Sequence, residues 1–217
     1  MHELNLISGN RSLSPGSLIP WLLLKQHAIA FHEIRIDLSR DDAVERVGWF
    51  SPSLKVPVLI HHDIKVWDAL PICEYLAETW LEGRGWPQQQ KKRAAARSVC
   101  AELHADFQSL KQNWPGAAAP ATCAPDTAAV ERDIARLDAI MSCCRRKYGD
   151  GGDWLFGRFG IVDAFLAPFV ICLDEQGVEL TAAAADYGQQ LLRNPWVLEW
   201  LFEASIERHE VRYAKAS

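Results

Sequence analysis

Lys55-Val56-Pro57-Val58-Leu59-Ile60-His61-His62-Asp63-Ile64-Lys65-Val66-Trp67-Asp68-Ala69-Leu70-Pro71 is the stretch on which the reading of this chain turns. Proline cannot donate to a strand ladder, so Pro57 marks the opening of a strand rather than its middle. Val58-Leu59-Ile60 then reads as a short apolar strand, His61-His62-Asp63 as a polar turn and Ile64-Lys65-Val66 as the return strand. Asp68 caps the amphipathic helix after it. A cis bond before Pro57 would turn the Val56 backbone outward and leave its N–H and C=O to pair with an extended ligand. Asp68 and the first N–H groups of its helix would then meet a ligand carrying both an amine and a carboxylate.

Upstream, Leu4-Asn5-Leu6-Ile7 reads as a strand, Ser8 to Leu13 as a loop, and Pro15 to Gln26 as a helix with proline in its first turn, where a missing N–H costs nothing. Ile29 to Ile36 alternates with period two and marks a second strand. Arg40 to Val47 is a short helix and Trp49-Phe50-Ser51-Pro52 a loop before the hairpin. The order β-α-β-α-β-β-α is thioredoxin-like and fills one small α/β domain over residues 1–80. Leu81 to Pro87 carries the glycines and proline of a linker. An all-α helical bundle domain is expected over 87–217, with helices at Lys91 to Lys111, Asp126 to Tyr148 and Ile161 to Leu173, and one within Leu191 to Ile206 interrupted by Asn194-Pro195. Ala117 to Ala121 is a loop between the first two. Asp163, three residues after Gly160, reaches back to cap its helix, and the apolar run beyond it suits a helix at the centre of a bundle.

The 217 residues are 49% hydrophobic and include nine tryptophans, which excludes disorder. With 23 basic against 28 acidic residues the net charge is −5, which argues against nucleic acid or an anionic membrane as partner. The first residues carry neither a basic n-region nor a long apolar stretch, and no run approaches the roughly 18 apolar residues of a membrane span. A soluble, cytoplasmic protein is expected. Cysteines 73, 100, 123, 143, 144 and 172 show no C-x-x-C pair and no zinc spacing, so they read as free thiols in a reducing compartment. His61-His62-Asp63 is a turn rather than a metal cluster, because adjacent histidines in extended backbone point to opposite faces.

Ser14-Pro15-Gly16-Ser17 before the first helix, Lys55-Val56-Pro57-Val58-Leu59, Asp68-Ala69-Leu70-Pro71-Ile72 and Phe159-Gly160-Ile161-Val162-Asp163 together resemble the cytosolic glutathione transferase superfamily. Among its branches they look like the serine-type bacterial and zeta-like group that includes maleylacetoacetate isomerases. The resemblance covers nearly the whole chain. It implies a cis proline at Pro57, with the Val56 backbone pairing with the cysteinyl part of glutathione. It implies that Ser14 activates the glutathione sulfur, its hydroxyl and the helix N-terminus together favouring thiolate. An ordinary N-cap is the other reading of Ser14, and Ser12 and Ser17 are reserves. Lys55 either meets a glutathione carboxylate or is solvated.

Asp68 matches the acidic half of the pair that binds the γ-glutamyl end, but Ala69 stands where the family has serine. The absent hydroxyl would have bonded a carboxylate, a contact worth on the order of 1.5–3 kcal/mol, so affinity is expected to fall by about ten- to a hundredfold. His104, Phe107 and Gln108 lie on the bundle helix that borders the second-substrate pocket in this family; for Phe107 packing in the core and for Gln108 exposure are the plain alternatives.

The resemblance implies a two-domain glutathione S-transferase. Glutathione is its cosubstrate, and its partner is a small hydrophobic electrophile, conjugated or, as in zeta-like isomerases, reversibly adducted with glutathione as cofactor. A homodimer with Trp49 and Phe50 at the contact is expected. A non-catalytic binding module that keeps the fold is the competing reading, motivated by Ala69 and by Pro15 in place of the family's second serine. A thiol-disulfide oxidoreductase is disfavoured because no cysteine lies near the first helix.

Overall fold

The computed structural model describes residues 4–112 and 127–216, with side chains described as far as residue 207. The Ala117 to Ala121 loop lies outside the described residues. Two compact units divide the chain, one of residues 1–81 with 195–217 and the other of 82–194. The helical domain expected over 87–217 shares residues 87–194 with the second unit, while the last helix packs on the first.

The first unit holds β1 (Leu4–Ser8), α1 (Pro15–Gln26), β2 (His32–Arg35), α2 (Ala43–Gly48), β3 (Val58–His61), β4 (Ile64–Trp67), α3 (Ala69–Thr79) and α9 (Pro195–Ala216). The strands form one mixed sheet in the order β2-β1-β3-β4. β1 runs parallel to β2 and antiparallel to β3, and β3 pairs antiparallel with β4. This is the thioredoxin-like sheet expected from the element order. Ile7 and Val58 pack with Ile36 and Val47 in one cluster, and Val56 and Phe50 close on it. Strand alternation sends Leu6 and Leu59 to the opposite face, where α3 contacts both β3 and α1. Both faces of the central strands β1 and β3 are therefore buried, each fully buried Leu or Ile side chain contributing roughly 1.5–3 kcal/mol, while the edge strands β2 and β4 are largely exposed. Trp49 is exposed and Phe50 half-buried.

Helix α9 is fastened to α1 by Trp200 against Trp21, ring centroids 5.2 Å apart, and by Lys25 Nζ donating to Glu199 at 2.9 Å. Arg11 lies against both indoles, 4.8 Å from the Trp21 ring and 4.1 Å from the Trp200 ring.

The second unit is α4 (Gln90–Ala105), α5 (Gln108–Gln112), α6 (Thr127–Tyr148), α7 (Ile161–Glu175) and α8 (Ala182–Leu192). Helix α7 buries twelve of its fifteen residues and packs against α4 and α8, as its apolar surface requires. The single helix expected over Lys91 to Lys111 is in fact two. Phe107 takes φ +63° to turn its ring into the core, and Lys111 Nζ caps the end of α4 by donating to the carbonyls of Leu103, His104 and Asp106. The break at Asn194-Pro195 is a boundary between helices, with Pro195 at the first position of α9 and α8 before it. Gly160 is required because its backbone passes Gly85: Ile161 N–H donates to the Gly85 carbonyl at 3.0 Å, and a Cβ on Gly160 would lie 2.8 Å from that oxygen. No helix among the described residues is long and apolar enough to cross a membrane.

Asp163 does reach back to Gly160 N–H, at 2.9 Å, and also accepts from Leu155 N–H at 3.0 Å and Tyr187 O–H at 2.7 Å. Burial pushes its carboxyl up to about 6 against the pull of those donors. A raised carboxyl binds its proton more tightly folded than unfolded, so its contribution is fully present below about pH 4 and is lost as pH rises through about 6. A carboxyl raised that far corresponds to about 3 kcal/mol. Urea denaturation from pH 4 to 7 should therefore show Asp163→Asn with a flatter stability profile than the parent chain, and parallel profiles would refute the assignment.

Candidate functional site

Register gathers three segments at one end of the sheet. Ile7, near the end of β1, pairs with Val58 at the start of β3, and Val58 pairs with Trp67 at the end of β4. The loop leaving β1, the turn entering β3 and the cap entering α3 consequently share that end. These segments carry Ser14, Val56-Pro57 and Asp68-Ala69.

The β1–α1 loop is held by its own polar groups. Asn10 C=O accepts from Leu13 N–H at 3.2 Å and Ser14 N–H at 2.9 Å, and Asn10 Oδ1 accepts from Leu38 N–H at 2.7 Å. Arg11 donates both ends of its guanidinium to Glu33, at 2.6 and 2.7 Å, and its Nε to Glu203 at 2.9 Å. Burial works against the Glu33 charge, but the Arg11 hydrogen bonds and charge, aided by Ser8 and Arg35, hold the carboxyl below its usual range. Ser12 gives both its N–H and its hydroxyl to Glu207 at 3.0 Å, which commits it to α9.

Ser14 occupies the N-cap position of α1 by sequence, but its side chain makes no cap hydrogen bond. Its Oγ lies 2.7 Å from Ser17 Oγ, and Ser17 Oγ accepts from Gly9 N–H at 3.3 Å. Either hydroxyl can be the donor in this buried pair, and with Ser17 donating to Ser14 the Ser14 proton is left to donate onward. Such a chain of hydroxyls polarises each successive donor. Gly9 makes the approach possible: a Cβ there would lie 2.7 Å from Ser14 Cβ and 2.5 Å from Leu38 Cδ1.

The Val56–Pro57 peptide is cis. Val56 packs its side chain on the core, while its N–H and C=O bond no other described residue. Pro57 C=O accepts from Asp68 N–H at 3.3 Å, tying the turn to the start of α3. Asp68 adopts φ +76° and accepts from Leu70 N–H at 3.1 Å, so its carboxylate caps the helix. Ala69 is buried and Lys55 is exposed.

Other side chains singled out by sequence fall elsewhere. Phe107 is in the core, 5.5 Å from Phe169 between ring centroids; Gln108 is exposed, and His104 is exposed with its ring edge toward Phe165. His61 Nδ1 pairs with Tyr75 hydroxyl at 2.7 Å, and among the described residues no cluster of His, Cys, Asp and Glu could hold a metal. Cys73 is the one cysteine in residues 1–81, and burial pushes its thiol far up, so it supplies no thiolate. Burial likewise raises Cys144 to about 11 and Cys172 to about 12. Arg11, Glu33 and Gly9 were not foreseen. Gly9, a glycine directly after a strand, was the one signal available.

Residues 13–79 match the model of a family described as glutathione S-transferase, N-terminal domain. Over nearly its full length the chain is similar in fold to solved structures of low identity. One is a glutathione transferase homolog from Burkholderia gl BGR1 with bound glutathione, 21% identical, covering 93% of this chain and 98% of that one, TM-score 0.70. Another is the tau class glutathione S-transferase of mango, Mangifera indica, 21% identical over 95% and 97%, TM-score 0.71. A third is the nitrogen regulation fragment of the yeast prion protein Ure2p, 17% identical over 92% and 96%, TM-score 0.70.

Proposed function

We propose that this chain is a glutathione transferase, binding reduced glutathione at the end of the sheet in its first unit and joining the sulfur to a small hydrophobic electrophile. The observation that carries this reading is the Ser17–Ser14 hydroxyl pair at the same sheet end as an unbonded Val56 backbone beside a cis proline. Glutathione supplies the sulfur nucleophile. Val56 N–H and C=O pair with its cysteinyl backbone, and Asp68 with the N-terminus of α3 receives its γ-glutamyl amine and carboxylate. Ser14 donates its hydroxyl hydrogen to the sulfur and so favours thiolate, with the thiol proton passing to solvent. Lys55 is free in position and charge to meet the remaining carboxylate. The similarity of residues 13–79 to the glutathione S-transferase N-terminal domain supports the assignment.

Ala69 favours a second reading, a glutathione-binding module without turnover, and the fold shared with a nitrogen regulation fragment keeps that reading open. Calorimetric titration with reduced glutathione tests the binding common to both. Millimolar or tighter binding is expected, and Ala69→Ser should tighten it by about tenfold, since the added hydroxyl gains a charge-assisted hydrogen bond. No heat in either protein would overturn both readings.

A further inference from the structure

The β1–α1 loop that carries Ser14 is held by a carboxylate from the last helix. Glu207 on α9 spans two consecutive backbone groups: one of its oxygens accepts from Arg11 N–H at 3.1 Å, and the other accepts from Ser12 N–H and from Ser12 hydroxyl, each at 3.0 Å. Arg35 adds a donor to the first oxygen at 3.4 Å, so all four acceptor positions of the carboxylate are used. Successive N–H groups converging on one anion form a receptor of fixed shape, and here a side chain of the same unit occupies it. Only 15% of the Glu207 side chain is exposed, which limits competition from water for those donors.

This clamp is separable from the docking of α9 as such. Helix α9 has further fastenings in Trp200 on Trp21, Glu199 with Lys25, and Glu203 with Arg11 Nε, all of which run between side chains. Glu207 instead takes hold of the loop backbone. Upstream, the loop is pinned at Asn10, whose side chain donates to Asp37 at 3.1 Å and accepts from Leu38 N–H at 2.7 Å. Ser14 N–H returns to the Asn10 carbonyl at 2.9 Å. Because Ser14 makes no side-chain cap bond to α1, its hydroxyl is aimed by Ser17 and by the place where the loop backbone is held. A misplacement of about 1 Å at such a group costs on the order of a hundredfold in rate.

We propose that Glu207 is a positioning residue for sulfur activation, its carboxylate holding the Arg11 and Ser12 N–H groups so that the Ser14 hydroxyl meets the glutathione sulfur. This rests on the reading of Ser14 as the activating donor. The sign of the effect separates a clamp from a nearby charge. Removing a negative charge near a thiol favours thiolate and lowers the pH at which it ionises, whereas loosening the donor aimed at the sulfur raises that pH. Glu33, Arg35, Arg11 and Glu203 complete the charged cluster around Glu207 and are unaltered in every variant below.

The test is ultraviolet thiolate absorbance of glutathione bound to the full chain, followed against pH, beside turnover with 1-chloro-2,4-dinitrobenzene. In Glu207→Ala the bound thiol should ionise at a pH about one higher, and kcat on the acid side of that transition should fall about tenfold with KM for glutathione nearly unchanged. Glu207→Gln keeps one acceptor oxygen and should fall between the alanine variant and the parent; it carries the test if the alanine variant does not fold. Lys25→Met loosens α9 at a different contact and should match the parent. Combining Ser14→Ala with Glu207→Ala should cost no more than Ser14→Ala alone, because the clamp works through Ser14. An unchanged or lowered ionisation pH in the Glu207 variants, an equal loss in Lys25→Met, or additive losses in the double variant would each overturn the proposal while Ser14→Ala remained impaired. Full thiolate and turnover in Ser14→Ala, or no glutathione bound by the parent, would instead overturn the underlying reading and the clamp with it.

Discussion

Ser14→Ala is expected to lower turnover of glutathione with 1-chloro-2,4-dinitrobenzene by about a hundredfold, the scale on which one preorganised donor at a developing or resting anion acts. Glutathione affinity should change little, because the contacts proposed for Val56 and Asp68 do not involve the hydroxyl. Ultraviolet thiolate absorbance of the bound complex should fall with turnover, which ties the loss to sulfur ionisation rather than to misfolding. Ser17→Ala should act in the same direction but by about tenfold, since it removes only the group that orients and polarises Ser14. Ser12 is no reserve: both its donors are held by Glu207. Full turnover in Ser14→Ala would sink this mechanism, and no turnover in either protein, with glutathione still bound, would favour the module.

The hairpin, its flanking proline and the first helix were legible because their signals are local. Pro15 in the first turn set the start of α1, and it spans Pro15–Gln26 as read. The Pro57 strand opening and the Asp68 cap likewise needed no long-range partner. Helix α8 was not read, because Thr181-Ala182-Ala183-Ala184-Ala185 has little apolar periodicity and its start is fixed from a distance: Thr181 gives its N–H and hydroxyl to Asp138, both at 2.7 Å. The break between α4 and α5 depends on where the core accepts the Phe107 ring, which spacing alone does not encode. In the candidate site, sequence singled out residue types but not their mutual order. The pairing of Ser14 with Ser17 in place of a helix cap depends on the close approach that Gly9 allows, and Arg11 has its partner Glu203 on a helix 192 positions away.

Arg11→Ala should destabilise the chain by about 3–5 kcal/mol, because it removes the cation from a buried pair and leaves Glu33 facing Ser8 and a more distant Arg35, 3.7 Å away. The Arg11 side chain is 1% exposed and that of Glu33 18%, so little solvent screening is available. Packing is lost as well, since the guanidinium packs against both Trp21 and Trp200. Glu33 sets the sign of the pH dependence. Its carboxyl is depressed in the folded chain, so the pair contributes stability above the ordinary carboxylate range, and this is lost as pH falls through the folded value. With Arg11 gone, burial is the dominant influence left on Glu33, its carboxyl should rise, and acid unfolding should begin at higher pH. Urea denaturation across acid pH reads both effects. The double variant Arg11→Met with Glu33→Leu should recover much of the loss, because a pair of apolar side chains carries no desolvation cost. A single-variant loss below about 1 kcal/mol would instead mean that the pair behaves as a solvated surface contact, and the fastening of α9 to the β1–α1 loop would then rest on the Arg11 N–H, Ser12 N–H and Ser12 hydroxyl donated to Glu207.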